Sequence, residues 1–162
     1  MVAMHPNNGT MAPAMSARVA KALDAAIKTI NAVGAGITLI RDDTARRPEI
    51  VLRRVNLHEG DKTKGIPGVP DNQVIGIGLN TVWWVNNRDL TKATILISAD
   101  IQQRDVASVV LEELFQSLGF GYDVEGRYYQ TRSILAQDSN QTTRIKGQDA
   151  TILRMHYPPS RN

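Results

Sequence analysis

Residues 111–123, which read LEELFQSLGFGYD, decide the fold of this 162-residue chain. Apolar side chains recur every three or four residues from just before this stretch to its middle, and this pattern predicts an amphipathic helix over residues 104–118. Residues four apart on a helix share a face, so Glu112 and Gln116 point the same way, opposite the apolar stripe. Glu113 lies about 100° further round, at the margin of that stripe.

The position of Glu113 at a polar–apolar border has a chemical consequence. Partial desolvation raises the pKa of a carboxylate, and the negative charge of the neighbouring Glu112 acts in the same direction. A carboxyl whose pKa approaches neutrality can act as a general acid or base. The spacing by itself is more typical of an ordinary solvent-exposed helix face, which commonly carries Glu and Gln.

The same stretch resembles the metzincin zinc-binding consensus H-E-x-x-H-x-x-G-x-x-H. In this register Glu112 stands at the first histidine and Glu113 at the catalytic glutamate. Gln116 stands at the second histidine, and Gly119 stands at the glycine that lets the chain turn. Tyr122 stands at the third histidine. In this alignment with the consensus, the sequence has the catalytic glutamate but has other residues at all three zinc-ligand positions.

Three segments around this motif extend the resemblance. Residues 118–121 resemble the leucine-glycine-rich turn of matrixin-type peptidases, and residues 133–135 resemble the tight turn that normally carries a methionine under the metal. Residues 149–157 resemble the closing helix of these enzymes. The pattern E-E-x-x-Q-x-L-G is also similar to an uncharacterised bacterial secreted family in which the histidines are generally absent. The resemblance implies a metzincin-like cleft and a secreted or periplasmic location.

Helix and strand signals along the whole chain follow the order of an α+β domain. Helical periodicity runs from Ser16, a residue that can cap a helix, to Val33. Apolar runs predict strands at residues 37–40, 50–55, 74–85 and 93–98. Polar and Gly-rich composition predicts a loop over 59–72 and an irregular segment over 122–148, before a closing helix over 149–157. With the resemblance, this predicts a zincin-like mixed sheet backed by two long helices.

We expect one domain over residues 16–162, preceded by a flexible leader over residues 1–15 that has no apolar core and does not resemble a signal peptide. The composition, 42% hydrophobic and 22% charged, is that of a soluble domain. The net charge of +3 is scattered apart from short clusters such as Arg46–Arg47 and Arg53–Arg54, so nucleic acid is not an expected partner. No apolar run is long enough to span a membrane, and no oligomeric state is indicated.

The ligands at the expected metal position are unfavourable for zinc. Gln116 is a neutral, weak ligand, and Tyr122 or the adjacent Asp123 would supply only oxygen. Cysteine is absent, and the histidines, at positions 5, 58 and 156, show no ligand spacing. We therefore predict no bound metal and no cofactor. An oxygen-rich site for a harder ion remains a separate hypothesis.

Three functions are compatible with these residues. The first is a hydrolase in which Glu113 is the general acid or base and Glu112 or Asp123 is the second carboxylate, with glycosidic bonds as a candidate substrate. The second is a non-catalytic pseudo-peptidase that binds a peptide or glycan. The third is an atypical metallopeptidase with oxygen ligands. The expected substrate-binding residues are Gln116, Tyr122, Trp84 and Tyr129.

The aromatic members of that set also have a structural interpretation. Neighbours in a strand point to opposite faces, so one of Trp83 and Trp84 is expected in the core and the other at solvent or a cleft. Aromatic rings can stack on sugars or peptides, but core packing is the commoner role.

Overall fold

A mixed sheet of four strands organises the part of the chain that the structure, a computed structural model, describes: residues 1–86, 89–137 and 141–160. The strands are β1 (Val2–Met4), β2 (Ile50–Arg54), β3 (Gly78–Val85) and β4 (Asp89–Ile97). Their spatial order is β1-β2-β4-β3, with β1, β2 and β4 parallel and β3 antiparallel to β4 at one edge. The helices in these ranges are α1 (Pro13–Asn31), α2 (Val106–Gln116) and α3 (Gly147–His156). The predicted α+β class is confirmed.

The main core lies between one face of this sheet and the helices α1 and α2. Alternate residues of β2 and β4 point into it, because side chains on a strand alternate between faces. These buried strand residues are Ile50, Leu52, Ala93, Ile95 and Ile97. The apolar stripes predicted for the helices cover them, with Val19, Leu23 and Ile30 from α1 and Val106, Val110 and Leu114 from α2. A smaller apolar cluster lies on the opposite face, around Ile75 and Leu96.

The first fifteen residues differ from the flexible leader that their composition predicts. Val2 is fully buried and pairs with Ile50 in the parallel ladder between β1 and β2. Three residues are too few to show a periodic pattern, so the strand has no recognisable sequence signal. The first helix begins at Pro13, a residue favoured in the first turn. Ser16 is therefore not its cap; the hydroxyl is inside the helix and accepts a hydrogen bond from Arg54.

The predicted strand at residues 37–40 is wrong. The backbone there has no strand assignment, although Val2 N donates to Ile40 O at 2.8 Å and Asp42 N donates to Val2 O at 2.9 Å. The chain near residue 40 therefore lies beside β1, but it forms only these two backbone hydrogen bonds with Val2. The other strands are found with shifted ends, since β3 begins at Gly78 and β4 already at Asp89.

The two helices that cover the sheet differ in length. The first has 19 residues, whereas α2 has 11 and is shorter at both ends than the predicted 104–118. Of the predicted pair of long helices, only the first is therefore long. None of the helices in the described ranges combines the length and the apolar character needed to cross a bilayer. Residues 138–140 of the predicted irregular segment and the last two residues of the predicted domain lie outside the described residues.

Candidate active site

Glu113 lies where α2 meets the edge strand β3. Its side chain is only 8% exposed and packs on the backbone at Gly78, the first residue of β3. A Cβ atom on residue 78 would lie 2.7 Å from Cδ and 2.8 Å from Cγ of Glu113, well inside normal carbon–carbon contact of about 3.5–4.0 Å. The glycine therefore makes the space that the glutamate occupies. The sequence places Glu113 at the margin of the apolar stripe of α2, and in the structure the edge of the sheet covers that margin, so Glu113 is buried.

One oxygen of the Glu113 carboxyl, Oε2, is buried without a hydrogen-bond partner among the described residues. Burial raises the pKa of Glu113 to about 8, with further contributions from the negative charges of Glu112 and Asp123. The group is thus mostly a neutral carboxylic acid at pH 7, the form in which it can donate a proton.

Glu112 is a second carboxyl with a strongly raised pKa. It is half-buried, and burial together with the charge of Asp123 raises its pKa to about 8. Two adjacent residues of α2 therefore both carry carboxyl groups whose pKa is raised to about 8. Because Glu112 keeps part of its surface exposed, it is the more accessible of the two.

Gln116 and Asp123 join the turn after α2 to the helix. The Nε2 atom of Gln116 donates to Oδ1 of Asp123 at 3.0 Å, which orients the carboxylate of an otherwise exposed residue. The raised pKa values of Glu112 and Glu113 both include the charge of Asp123, so the three carboxyl groups form one electrostatic cluster. We call Glu112, Glu113, Gln116 and Asp123 the carboxyl cluster.

A family model described as "Protein of unknown function (DUF2927)" matches residues 17–160. The chain belongs to this family. No curated protein and no solved structure matches it. The matched range begins within α1 and extends beyond α3, so it includes the whole carboxyl cluster of this DUF2927 protein.

Asn80 is a member of the site that the sequence did not predict. It lies two residues after Gly78 on β3 and opposite Ile95, whose side chain is in the main core, so it faces the helices. Its Oδ1 atom is also buried without a hydrogen-bond partner among the described residues. Two unpartnered oxygen atoms, one on α2 and one on β3, therefore belong to the same side of the sheet edge. An asparagine in a strand carries no local signal of such a position.

The aromatic residues predicted to bind substrate are separated. Trp84 is 43% exposed, and its Cη2 atom lies 3.1 Å from where a Cβ on Gly119 would be, at the turn that follows α2. Tyr122, at 90% exposure, is in the same turn region as Asp123. Tyr129 instead lines a separate cavity of about 630 Å³, together with residues of the segment 141–148. Trp84 is thus beside the turn that leads from α2 to Asp123, whereas Tyr129 lies away from the carboxyl cluster.

Neither tryptophan of the adjacent pair is in the core, so the expectation that one would be buried is wrong. A register shift separates Trp83 from Trp84 in the β3–β4 pairing, and the two side chains are 45% and 43% exposed. The indole of Trp83 donates to Gly68 O at 2.9 Å on the far face of the sheet. The bulge and the edge position leave both rings on the surface.

Residues 133–135 and the helix α3, two of the segments on which the predicted metzincin resemblance rests, are in direct contact. The carboxylate of Asp149, fully buried in α3, accepts hydrogen bonds from Ser133 Oγ at 2.7 Å and from Ile134 N at 2.8 Å. At the other end of α3, Tyr157 Oη donates to Leu118 O at 2.9 Å. The Asp149 bonds fix the start of α3 to residues 133–134, and the Tyr157 bond fixes its end to the turn that follows α2.

Metal ligands do not converge anywhere in the described part of the chain. No group of three His, Cys, Asp or Glu side chains there has a geometry that could hold an ion. His58 forms an exposed pair with Asp100 at 2.7 Å. The ring of His156 packs edge-on against that of Phe120, with centroids 5.2 Å apart. The histidines thus have other partners than one another.

Proposed function

We propose that the chain is a hydrolase that uses carboxyl groups in a metzincin-like cleft without the standard zinc site. The observation that carries this proposal is the state of Glu113, a buried carboxyl with an unpartnered oxygen and a pKa of about 8. General acid–base catalysis is most effective when the pKa of the group is close to the working pH. Burial and neighbouring negative charge are the usual means by which proteins reach that value.

The cluster contains groups for each role in a general acid–base reaction. Glu113 would transfer the proton, and the half-buried Glu112 or Asp123 would be the second carboxylate. Gln116 already holds Asp123 through its amide and would orient a substrate or a water molecule. Paired carboxyl groups are standard in the hydrolysis of glycosidic bonds. Exposed Trp84, beside the same turn, supplies a surface on which a sugar ring could stack.

The arrangement of elements supports the metzincin-like part of the proposal. The helix that carries the cluster packs on a mixed sheet whose edge strand, β3, is antiparallel to its neighbour. The closing helix α3 is tied by Asp149 to the turn at residues 133–135, the pair of segments that resemble metzincins. Without three converging ligands in the described residues, the hypothesis of an oxygen-ligated metallopeptidase has less support than the metal-independent one.

A non-catalytic binding module is the second candidate, and the burial of Glu113 favours it. With 8% exposure and an inaccessible Oε2 atom, Glu113 presents little surface to a substrate. The cavities of about 630 and 620 Å³ are lined by residues other than the carboxyl cluster. A protein that binds a peptide or glycan on this surface would not need its ligand to contact Glu113.

The test is a screen of chromogenic glycosides, esters and peptides in the presence of a chelator. We expect turnover of one substrate class by the wild type, and a loss of about 10²–10⁴ in rate for Glu113→Gln, which keeps the shape but cannot transfer a proton. The matched control is Glu125→Gln, a change of the same kind at an exposed position outside the cluster.

Two results would reject parts of this proposal. Full activity of Glu113→Gln would show that Glu113 is not the acid or base. If no substrate is hydrolysed while a peptide or glycan binds equally to the wild type and to Glu113→Gln, the protein is the binding module and not the hydrolase.

A further inference from the structure

A basic cavity lies on the far face of the sheet, away from α1 and α2. It has a volume of about 620 Å³ and is bordered by β1, by residues 43–48 and by residues of β2 and β4. The strand residues on its wall include Val51 and Thr94, which alternate with the core-facing Leu52 and Ile95. A second cavity of about 270 Å³ adjoins it, since Val51 and Thr94 line both.

Five cationic or potentially cationic side chains line the larger cavity: His5, Arg46, Arg47, Arg53 and Lys92. Asp43 is the one carboxylate among these lining residues, and it is already occupied, because Arg41 Nη2 pairs with it at 2.7 Å and Met4 N donates to it at 2.9 Å. Glu49, on the wall of the smaller cavity, pairs with the amino group of Met1. Within the described ranges, no ion pair neutralises the arginines at positions 46, 47 and 53 or Lys92.

Arg53 shows that this charge is held without a compensating acceptor. Its Nε atom is buried and has no hydrogen-bond partner among the described residues. Desolvation lowers the pKa of the guanidinium from its ordinary value. The Nε atom itself is closed to solvent, so a ligand in the cavity would meet the terminal nitrogens of Arg53. Guanidinium nitrogens only donate hydrogen bonds, so such a ligand must carry oxygen acceptors.

We propose that this cavity binds a small molecule that carries a phosphate group. A phosphate offers several charged oxygens, enough for Arg53 and for further cations around the wall, whereas a single carboxylate matches one guanidinium fork. The volume equals that of about twenty water molecules at roughly 30 Å³ each, more than one phosphate fills. The remainder of the ligand extends toward the smaller cavity, where Trp83, fixed by its bond to Gly68, forms part of the wall.

His5 reports on occupancy of the cavity. Burial lowers its pKa, and the positive charges of Arg53 and Arg54 lower it further. Arg54 also donates to the carbonyl oxygen of His5, so the two residues are in contact. A bound anion would offset the repulsion from Arg53, and the pKa of His5 would rise.

The experiment follows the His5 ring by NMR during pH titrations, with inorganic phosphate, pyrophosphate or acetate added at constant ionic strength, and measures affinity by calorimetry. We expect phosphate and pyrophosphate to raise the pKa of His5, with pyrophosphate binding more tightly because it reaches more of the cations. Arg53→Gln should weaken pyrophosphate binding about tenfold or more, since a charge-assisted hydrogen bond is lost. Its unliganded His5 should already have a higher pKa than in the wild type.

The matched control is Arg18→Gln, which removes the same charge from an exposed position on α1, across the sheet from the cavity. It should bind pyrophosphate as the wild type does. If Arg53→Gln does not fold, Lys92→Gln, at an exposed lining residue, replaces it and should also bind more weakly. The proposal would be overturned if pyrophosphate did not bind or did not change the pKa of His5. It would also be overturned if the lining variant and the control bound pyrophosphate with equal affinity, or if acetate bound as tightly as pyrophosphate. Glu113→Gln should leave pyrophosphate binding unchanged, so the result of this experiment does not depend on whether the protein is a hydrolase.

Discussion

The neutral state of Glu113 predicts an unusual dependence of stability on pH. The pKa of this group is about 8 in the folded protein against an ordinary value of 4.5, so between these pH values the folded protein keeps a proton that the unfolded chain has lost. With respect to this group, stability is therefore greatest below pH 4.5 and is lost as the pH rises through 8. The free energy of unfolding falls by about 1.4 kcal/mol for each pH unit in this interval, at most about 5 kcal/mol in all.

The variant Glu113→Gln removes the part of the pH dependence that Glu113 contributes, because glutamine has nearly the same shape and does not ionise. The part contributed by Glu112, whose pKa is also raised to about 8, remains in the variant. Urea unfolding at several values from pH 5 to pH 8.5 should show wild type and variant within about 1 kcal/mol of each other at pH 5. At pH 8.5 the variant should be more stable by several kcal/mol, since it avoids burying a charge. The exposed-site control Glu125→Gln should keep the slope of the wild type. Equal slopes for Glu113→Gln and the wild type would refute the reasoning.

Two further substitutions test the packing around the site. Gly78→Ala should destabilise the protein by about 1–3 kcal/mol, because its Cβ would overlap the side chain of Glu113. In a Glu113→Ala background the same substitution should cost much less stability. Equal costs in the two backgrounds, measured by urea unfolding, would contradict the contact. Asp149→Ala should cost about 1–3 kcal/mol for each buried donor that it abandons, at Ser133 Oγ and Ile134 N. Asp149→Asn, which keeps one acceptor, should cost less by the same assay, and equal losses would count against this account of the bond pair.

The helices and the central strands could be predicted because they repeat an apolar pattern over many residues. The stripe through Val19, Leu23 and Ile30 predicted α1, and the run at residues 50–55 predicted β2. Strand β1 could not be predicted, since its three residues are ordered by pairing with β2 rather than by local propensity. The run at residues 37–40 has the composition of a strand but does not form one, because in the described structure it contacts β1 only near Val2 and does not extend a strand ladder.

The site was predictable only in part. Helical spacing was enough to place Glu112 and Gln116 on one face and Glu113 at a border. The depth of burial of Glu113 depends on Gly78, a residue distant in sequence whose missing side chain admits the carboxyl. The unpartnered atoms of Asn80 and Arg53 likewise result from tertiary contacts. A pair of adjacent arginines, Arg53 and Arg54, could be noticed in the sequence, but alternation in β2 sends one to the cavity and the other to α1.

The most direct test of a carboxyl-based mechanism is the ionisation of the two glutamates themselves. Glutamate labelled with ¹³C at the carboxyl carbon allows each group to be titrated by NMR, with the signals assigned by Glu112→Gln and Glu113→Gln. The account predicts that Glu112 and Glu113 both titrate near pH 8. Titration of both groups near their ordinary value of 4.5 would mean that they are ionised at neutral pH, and would contradict their assignment as proton donors.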